Sequence, residues 1–179
     1  HQLCQDARIP LISATGSTRM GKSIGVTVAE RFGKSILELG GNNAVIISET
    51  ADLKKVLPAI VFGAVGTAGQ RCTSTRRLII HESKYAEVRQ VMQKAYGQLR
   101  IGNPLDQQNH VGPLIDRHAV EIYLKALEQI KVQGGRMLVE GGVIEGAEYS
   151  SGCYVRPCIA EVQADMKIVH EETFAPILY

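Results

Sequence analysis

The sequence predicts an α/β fold in which a parallel β-sheet is flanked by helices. The prediction rests on two observations. Short apolar, β-branched runs alternate with longer segments of helical periodicity, in the order strand, helix, strand, helix. The chain has 179 residues, 45% of them hydrophobic, which is enough for a full core.

The elements follow in order. Residues 9–13 (IPLIS) read as a short buried strand. Residues 18–32 read as a helix, because Gly21, Ile24, Gly25, Val28, Ala29 and Phe32 recur at three- and four-residue spacing on one face. Strands at 35–38 (SILE) and 44–48 (AVIIS) are separated by Gly40-Gly41. An apolar helix spans 52–66, with Pro58 in its first turn or at a kink. Residues 76–81 (RRLIIH) form a strand. Ser83 caps a helix to about residue 98, whose apolar face is Val88, Val91, Met92, Ala95, Tyr96 and Leu99. The loop 101–115 is long and rich in turn residues. Asp116 caps a helix to 132, ended by Gly134-Gly135. Strands near 137–140 and 154–160 close the order.

Charge and cysteine usage narrow the function. Twenty Lys and Arg stand against 18 Asp and Glu, a net charge of +2. No basic excess exists to displace counterions from a nucleic acid, and the chain is too apolar to be disordered. No apolar run is long enough to span a bilayer. The N-terminal HQLCQDARIP has no secretory pattern and no initiator Met, so a processed chain, or one cut from something longer, is expected. The cysteines are Cys4, Cys72, Cys153 and Cys158. There is no CxxC and no His or Cys pair at metal-ligand spacing, so no metal is expected. Cys153 and Cys158 would lie on opposite faces of one strand. Reduced cysteines at 4, 153 and 158 point to a reducing compartment.

Four constellations could carry chemistry. Gly16 to Ser23 (GSTRMGKS) spells the phosphate-loop pattern between a strand and a helix. A glycine turn entering a helix N-terminus suits a phosphate whatever the fold. ATP hydrolysis would also need an Asp-ended strand to hold Mg²⁺, and AVIIS followed by Glu49 is a poor match. Glu38, in ELGGNN, ends an apolar strand before two glycines. It is either a desolvated carboxylate poised as a base or a surface residue at a strand end. Cys72, in GTAGQRCTS, follows a glycine-containing loop, with Arg71, Arg76 and Arg77 nearby and hydroxyls at Thr73 and Ser74. Cations favour a thiolate and a loop gives access, although a lone Cys is more often a core residue than a catalyst. The run His170-Glu171-Glu172-Thr-Phe-Ala-Pro176 has no metal pattern, and no Ser–His–Asp arrangement is present.

Together these segments resemble the NAD(P)-dependent aldehyde dehydrogenase superfamily. The ordered series is the Gly-Ser-Thr turn, ELGG, GQ-x-C, a loop ending GPLI, and E-E-x-F-x-P, and it spans about residues 13–179. ELGGNNA at 38–44, AVGTAGQRCT at 64–73, HES at 81–83 and ETFAPILY at 172–179 are similar to one branch, the antiquitin group of α-aminoadipic semialdehyde dehydrogenases.

The resemblance implies an aldehyde-dehydrogenase-like catalytic domain at 41–179, truncated, preceded at 1–40 by the last part of a Rossmann-like cofactor domain. It implies oxidation of an aldehyde, an amino-acid semialdehyde such as α-aminoadipic semialdehyde, to a carboxylate. Cys72 matches the nucleophile and Glu38 the general base. Gly16 and Ser17 match the turn at the pyrophosphate. Leu39 and Gly40 match backbone contacts at the nicotinamide end, Glu172 the ribose-binding carboxylate, and Phe174 the aromatic beside it. Arg71 and Thr73, either side of the thiol, are the candidate substrate-binding residues, with Arg71 suited to a substrate carboxylate. The implied cofactor is NAD, with NADP the alternative. The implied partners are a small aldehyde and further copies of the chain in a homo-oligomer, often a tetramer in the family, with no nucleic acid and no membrane. The implied compartment is the cytoplasm, or the mitochondrial matrix in a eukaryote. Arg19-Met20 departs from the usual residues of the turn. Family subunits are considerably longer, so the chain reads as a middle segment, inactive on its own. A phosphate-loop nucleotide-binding protein and an inactive folded segment are the competing readings.

Overall fold

Strand–helix–strand alternation is realised twice in the computed structural model, which describes residues 2–179. The chain divides into two units, His1–Gly41 and Asn42–Tyr179.

In the first unit, α1 (Gln2–Gln5) precedes β1 (Leu11–Gly16), α2 (Thr18–Glu30) and β2 (Lys34–Leu39). The two strands pair in parallel from Leu11↔Lys34 to Gly16↔Leu39. A helix must cross between parallel neighbours, and α2 does so. Its fit depends on Gly21, where a Cβ would come within 2.4 Å of the Leu39 side chain. Phe32 departs from the expected helix face. The helix ends two residues earlier, and Phe32 is 98% exposed with φ of 57°. The amides of Phe32 and Gly33 return to the Ala29 and Val28 carbonyls, closing a Schellman turn with Phe at the position that favours glycine. That left-handed conformation costs roughly 1–2 kcal/mol in a residue with a Cβ.

In the second unit, β3 (Ala44–Ile47) and β4 (Arg77–Ile80) pair in parallel around α3 (Leu53–Val65). Then come α4 (Glu82–Gly97), α5 (Arg117–Val132), β5 (Arg136–Val139), β6 (Gly142–Val143), β7 (Val155–Arg156), β8 (Cys158–Glu161) and β9 (Ile177–Leu178). The amide of Leu78 bonds the Tyr179 carbonyl, and the amide of Tyr179 bonds that of Arg76, both at 2.8 Å, so β9 lies along β4. β9 is parallel to β8, and β8 is antiparallel to β5. The expected parallel sheet therefore ends in an antiparallel strand. Among the described residues no α-helix separates β5 from β8, and the chain returns through the β6–β7 pair and the short 3-10 turn Ala147–Tyr149.

Three further expectations change. Asp52 caps α3 and Pro58 lies well inside that helix, beyond its first turn. His81, rather than Ser83, caps α4: its Nδ1 accepts the Ser83 amide at 3.3 Å, and Ser83 is already helical. The strand expected at 154–160 is broken at Pro157, which brings no N–H to a ladder. Cys153 thus falls outside any strand, while Cys158 is fully buried in β8. Asp116 caps α5 as its position suggests, accepting the Ala119 amide at 2.8 Å. The core of this unit gathers Ile47, Leu57, Val88, Met92, Tyr123, Ile130 and Leu178. No helix among the described residues is long and apolar enough to cross a membrane.

Candidate active site

In the first unit, β1 ends at Gly16 and Ser17 caps α2, its hydroxyl accepting the Met20 amide at 3.2 Å. The helix is already under way at Thr18. A phosphate loop instead needs the residues between its two glycines free to wrap an anion, so the GSTRMGKS spelling does not build one. Lys22 and Ser23 are exposed helical residues. The N-terminus of α2 still presents a positive dipole end to an anion, as a pyrophosphate requires.

Glu38 pairs with Thr15 across the β1–β2 ladder and is exposed. The desolvation expected from its apolar neighbours is absent because strand side chains alternate. Leu37 and Leu39 are partly buried, with Leu39 against α2, while Ile36 and Glu38 occupy the open face. Leu39 and Gly40 end this segment, both partly buried.

In the second unit, the loop carrying Cys72 is shaped by a left-handed turn. Thr67, Ala68 and Gly69 have φ of 54°, 52° and 69°. Non-glycine residues held there cost on the order of 1–3 kcal/mol each, so surrounding contacts must impose the conformation. Gly69 is demanded twice, since a Cβ on it would stand 2.5 Å from the Ala175 carbonyl oxygen. Gln70 ties the turn to the GPLI loop. Its side-chain amide donates to the Thr67 and Pro113 carbonyls and accepts the Ile115 amide at 2.8 Å. Asn43 holds the far side, donating to the carbonyls of Cys72 at 2.6 Å and Ser74 at 3.0 Å. The Asn43 carbonyl accepts the amides of Arg76 and Arg77.

Cys72 itself is exposed, as are Arg71 and Thr73 on either side. The Arg71 guanidinium lies 5.4 Å from the Phe62 ring centroid, and its Nε donates to the Thr67 hydroxyl at 2.8 Å. Its terminal nitrogens hydrogen-bond to none of the described residues. Arg71 and Lys54 are among the residues lining a mostly apolar cavity of about 870 Å³ between α3 and α4, with Leu57, Val61, Phe62, Met92 and Leu99. Thr73 makes no side-chain hydrogen bond to the described residues.

Arg76 is buried, with 1% of its side chain exposed. It donates to the carbonyls of Arg71 at 2.8 Å, Gly69 at 3.2 Å and Thr173 at 3.2 Å. It lies 3.4 Å from a Glu172 carboxylate oxygen and 5.3 Å from the Phe174 ring centroid. Burial pushes the Arg76 guanidinium down from its ordinary value, opposed by the charges of Glu172 and Cys72. Glu172 keeps 22% of its side chain exposed, and its buried Oε1, the oxygen facing Arg76, accepts no hydrogen bond from the described residues. An acceptor with spare capacity fits the hydroxyl donors of a ribose. Phe174, beside it, is 44% exposed.

Asn43, Gln70 and Arg76 are the residues whose positioning roles motif reading does not single out. The repeated Asn of ELGGNN and a charged residue at the mouth of an apolar strand are the signals they leave in the sequence. Among the described residues, no group of three or more His, Cys, Asp or Glu could hold a metal ion.

Comparison with known proteins gives one answer. The model of the aldehyde dehydrogenase family matches residues 1–179. The chain is 51% identical over 178 residues to α-aminoadipic semialdehyde dehydrogenase of Mus musculus, covering 99% of this chain and 32% of that protein. It is 49% identical over 179 residues to aldehyde dehydrogenase family 7 member A1 of Pisum sativum, covering 100% of this chain and 34% of that protein. It superposes with a TM-score of 0.93 on betaine aldehyde dehydrogenase of Staphylococcus aureus in complex with NAD+, at 25% identity, covering 98% of this chain and 35% of that one. HpcC of Thermus thermophilus gives the same TM-score at 32% identity, with coverages of 98% and 35%. The chain thus spans about a third of the length of the relatives it matches.

Proposed function

The chain belongs to the aldehyde dehydrogenase family, and we propose that it is the segment carrying the nucleophile of an enzyme that oxidises an amino-acid semialdehyde to a carboxylate. Its first unit is the end of the cofactor domain and its second unit most of the catalytic domain. Cys72 supports this reading most directly, being the exposed one among four free thiols and sitting on a loop whose backbone is fixed on both sides.

The chemistry proceeds through this thiol. The Cys72 thiolate attacks the aldehyde carbon, forming a C–S bond and a thiohemiacetal. NAD, when bound, supplies the hydride acceptor. Loss of hydride from the thiohemiacetal leaves an acyl thioester on Cys72. Glu38 takes a proton from the water that attacks this thioester, and the carboxylate product leaves as the thiol is regenerated. Gly16 and Ser17 are the residues that would hold the cofactor's pyrophosphate, Leu39 and Gly40 those that would meet its nicotinamide end, and Glu172 and Phe174 those that would hold its ribose. NADP is the alternative cofactor.

The relatives named for α-aminoadipic semialdehyde supply the substrate class. Its distal carboxylate suits the Arg71 fork, which lines an apolar cavity and whose terminal nitrogens hydrogen-bond to none of the described residues. Thr73 borders the same thiol. The four free cysteines support a reducing, cytoplasmic or mitochondrial-matrix, location and the family a homo-oligomer. The test is Cys72→Ala in the protein at full family length. It should abolish aldehyde oxidation while leaving NAD affinity within about twofold, because only an interaction made with the reacting carbon is removed. Steady-state oxidation by that variant would refute the assignment.

A further inference from the structure

Arg76 lies between two segments that the chemistry uses separately. On one side its guanidinium holds the carbonyls of Gly69 and Arg71, which lead directly into Cys72. On the other it holds the Thr173 carbonyl, pairs with Glu172 and stacks on Phe174. One buried, planar, rigid group thus touches the thiol loop and the ribose-binding segment at once. The same carbonyls could have been satisfied by separate donors that move independently. A single guanidinium cannot shift toward Glu172 without pulling on Gly69 and Arg71.

We infer that Arg76 is a positioning residue that couples cofactor binding to the reactivity of Cys72. The inference rests on the roles proposed above for Cys72 and Glu172. A ligand that draws hydrogen-bonding capacity from the Glu172 carboxylate changes the pull of that carboxylate on Arg76. With that attraction changed, the guanidinium shifts, its hydrogen bonds to the Gly69 and Arg71 carbonyls lengthen or shorten, and the loop bearing the thiol settles differently. By reciprocity, the state of the thiol loop alters affinity for the cofactor by the same factor. Lysine at this position would preserve the charge but not the fork that reaches both segments.

The experiment uses the protein at full family length and follows alkylation of Cys72 by iodoacetamide, resolved from the other cysteines by peptide mass spectrometry, with and without saturating NAD. The unsubstituted protein should show a rate changed by NAD at least about fivefold, the lower end of ordinary coupling. In Arg76→Lys and Arg76→Gln the change should fall below about twofold and the Kd for NAD should rise, because the linkage works in both directions. A merely structural Arg76 would lower Tm and leave the NAD effect on the thiol intact, and that result would overturn the inference. Should neither variant fold, Glu172→Gln decides. Without any NAD, it should alter the Cys72 alkylation rate by roughly threefold or more, because contacting groups in one network do not behave independently. An unchanged rate overturns the coupling. If the unsubstituted protein oxidises aldehydes through Cys72 but the Arg76 variants keep the NAD effect, only the coupling fails. If Cys72→Ala still oxidises aldehydes, the functional reading fails and takes the coupling with it.

Discussion

The side-chain amide of Asn43 donates to the carbonyl oxygen of Cys72 at 2.6 Å, so the residue before β3 braces the loop that carries the thiol. The same amide reaches Ser74 at 3.0 Å, and the Asn43 backbone carbonyl collects two amides from the start of β4. Leaving carbonyls of this loop unpaired costs about 1–3 kcal/mol. Asn43→Ala should therefore lower Tm by a few degrees and reduce kcat by more than it raises the KM for NAD. Asn43→Asp, which keeps the shape but cannot donate, should do the same. Steady-state kinetics with thermal denaturation check this, and unchanged kcat in both variants would show that the brace has no part in positioning the thiol.

Glu38 is exposed on the open face of β2 in this chain. If it activates the hydrolytic water, Glu38→Gln should leave the first hydride transfer intact and slow the release of the acyl group, typically by 10²–10⁴-fold for loss of a general base. Rapid mixing should then show a burst of NADH followed by slow turnover. A variant that turns over at the ordinary rate would leave Glu38 as a surface carboxylate at a strand end.

Arg71, stacked on Phe62, lines the apolar cavity, as does Lys54. Arg71→Ala should raise the KM for an acidic semialdehyde by about ten- to a hundredfold, since a charge-assisted hydrogen bond contributes about 1.5–3 kcal/mol. A neutral aldehyde such as hexanal should be little affected. Equal losses of kcat/KM on both aldehydes would instead assign Arg71 a general electrostatic effect on the thiol.

Away from the site, Glu161 joins α4 to the β5–β8 edge. It accepts from the Tyr85 hydroxyl and from Arg136 Nε at 2.9 Å. The Tyr85 hydrogen bond, with that of Arg136, holds its carboxyl below the ordinary value of 4.5. A carboxyl depressed in the folded state stabilises the fold above its unfolded value, and this contribution disappears as pH falls through the lower folded value. The stabilisation is thus full at neutral pH and is lost below about pH 4.5, the ordinary value. With the group partly solvent-exposed, about 1 kcal/mol or less is at stake. Glu161→Gln should lower stability at pH 7 by that amount and shrink the difference from the parent toward pH 3. Denaturant titrations at the two pH values check it, and an equal deficit at both would show that ionisation is not the cause.

Local chemistry carried much of this structure. The Asp116 cap, the glycines after α5 and the alternation of strands with helices need only nearby residues, and each is readable from spacing. So is the candidacy of Cys72 and Glu38, because a thiol in a glycine-bearing loop and a carboxylate before Gly-Gly are local patterns. Other features depend on what lies across space. Which face of β2 is open, and hence the exposure of Glu38, follows from where α2 packs. Phe32 leaves the helix face because the helix stops at a turn whose hydrogen bonds outweigh the apolar periodicity. His81 replaced Ser83 as a cap because an imidazole nitrogen happened to meet the free amide.

The sequence by itself determined which reactive groups the chain offers, since these are written in residue identity, and the order of elements, since those follow short-range periodicity. Only the tertiary structure decided which residues hold the thiol in place. Asn43 and Cys72 are 29 positions apart, and Arg76 and Thr173 are 97 apart. A hydrogen bond over such separations leaves no periodic trace in the chain, because its two ends meet only after the intervening strands and helices have packed.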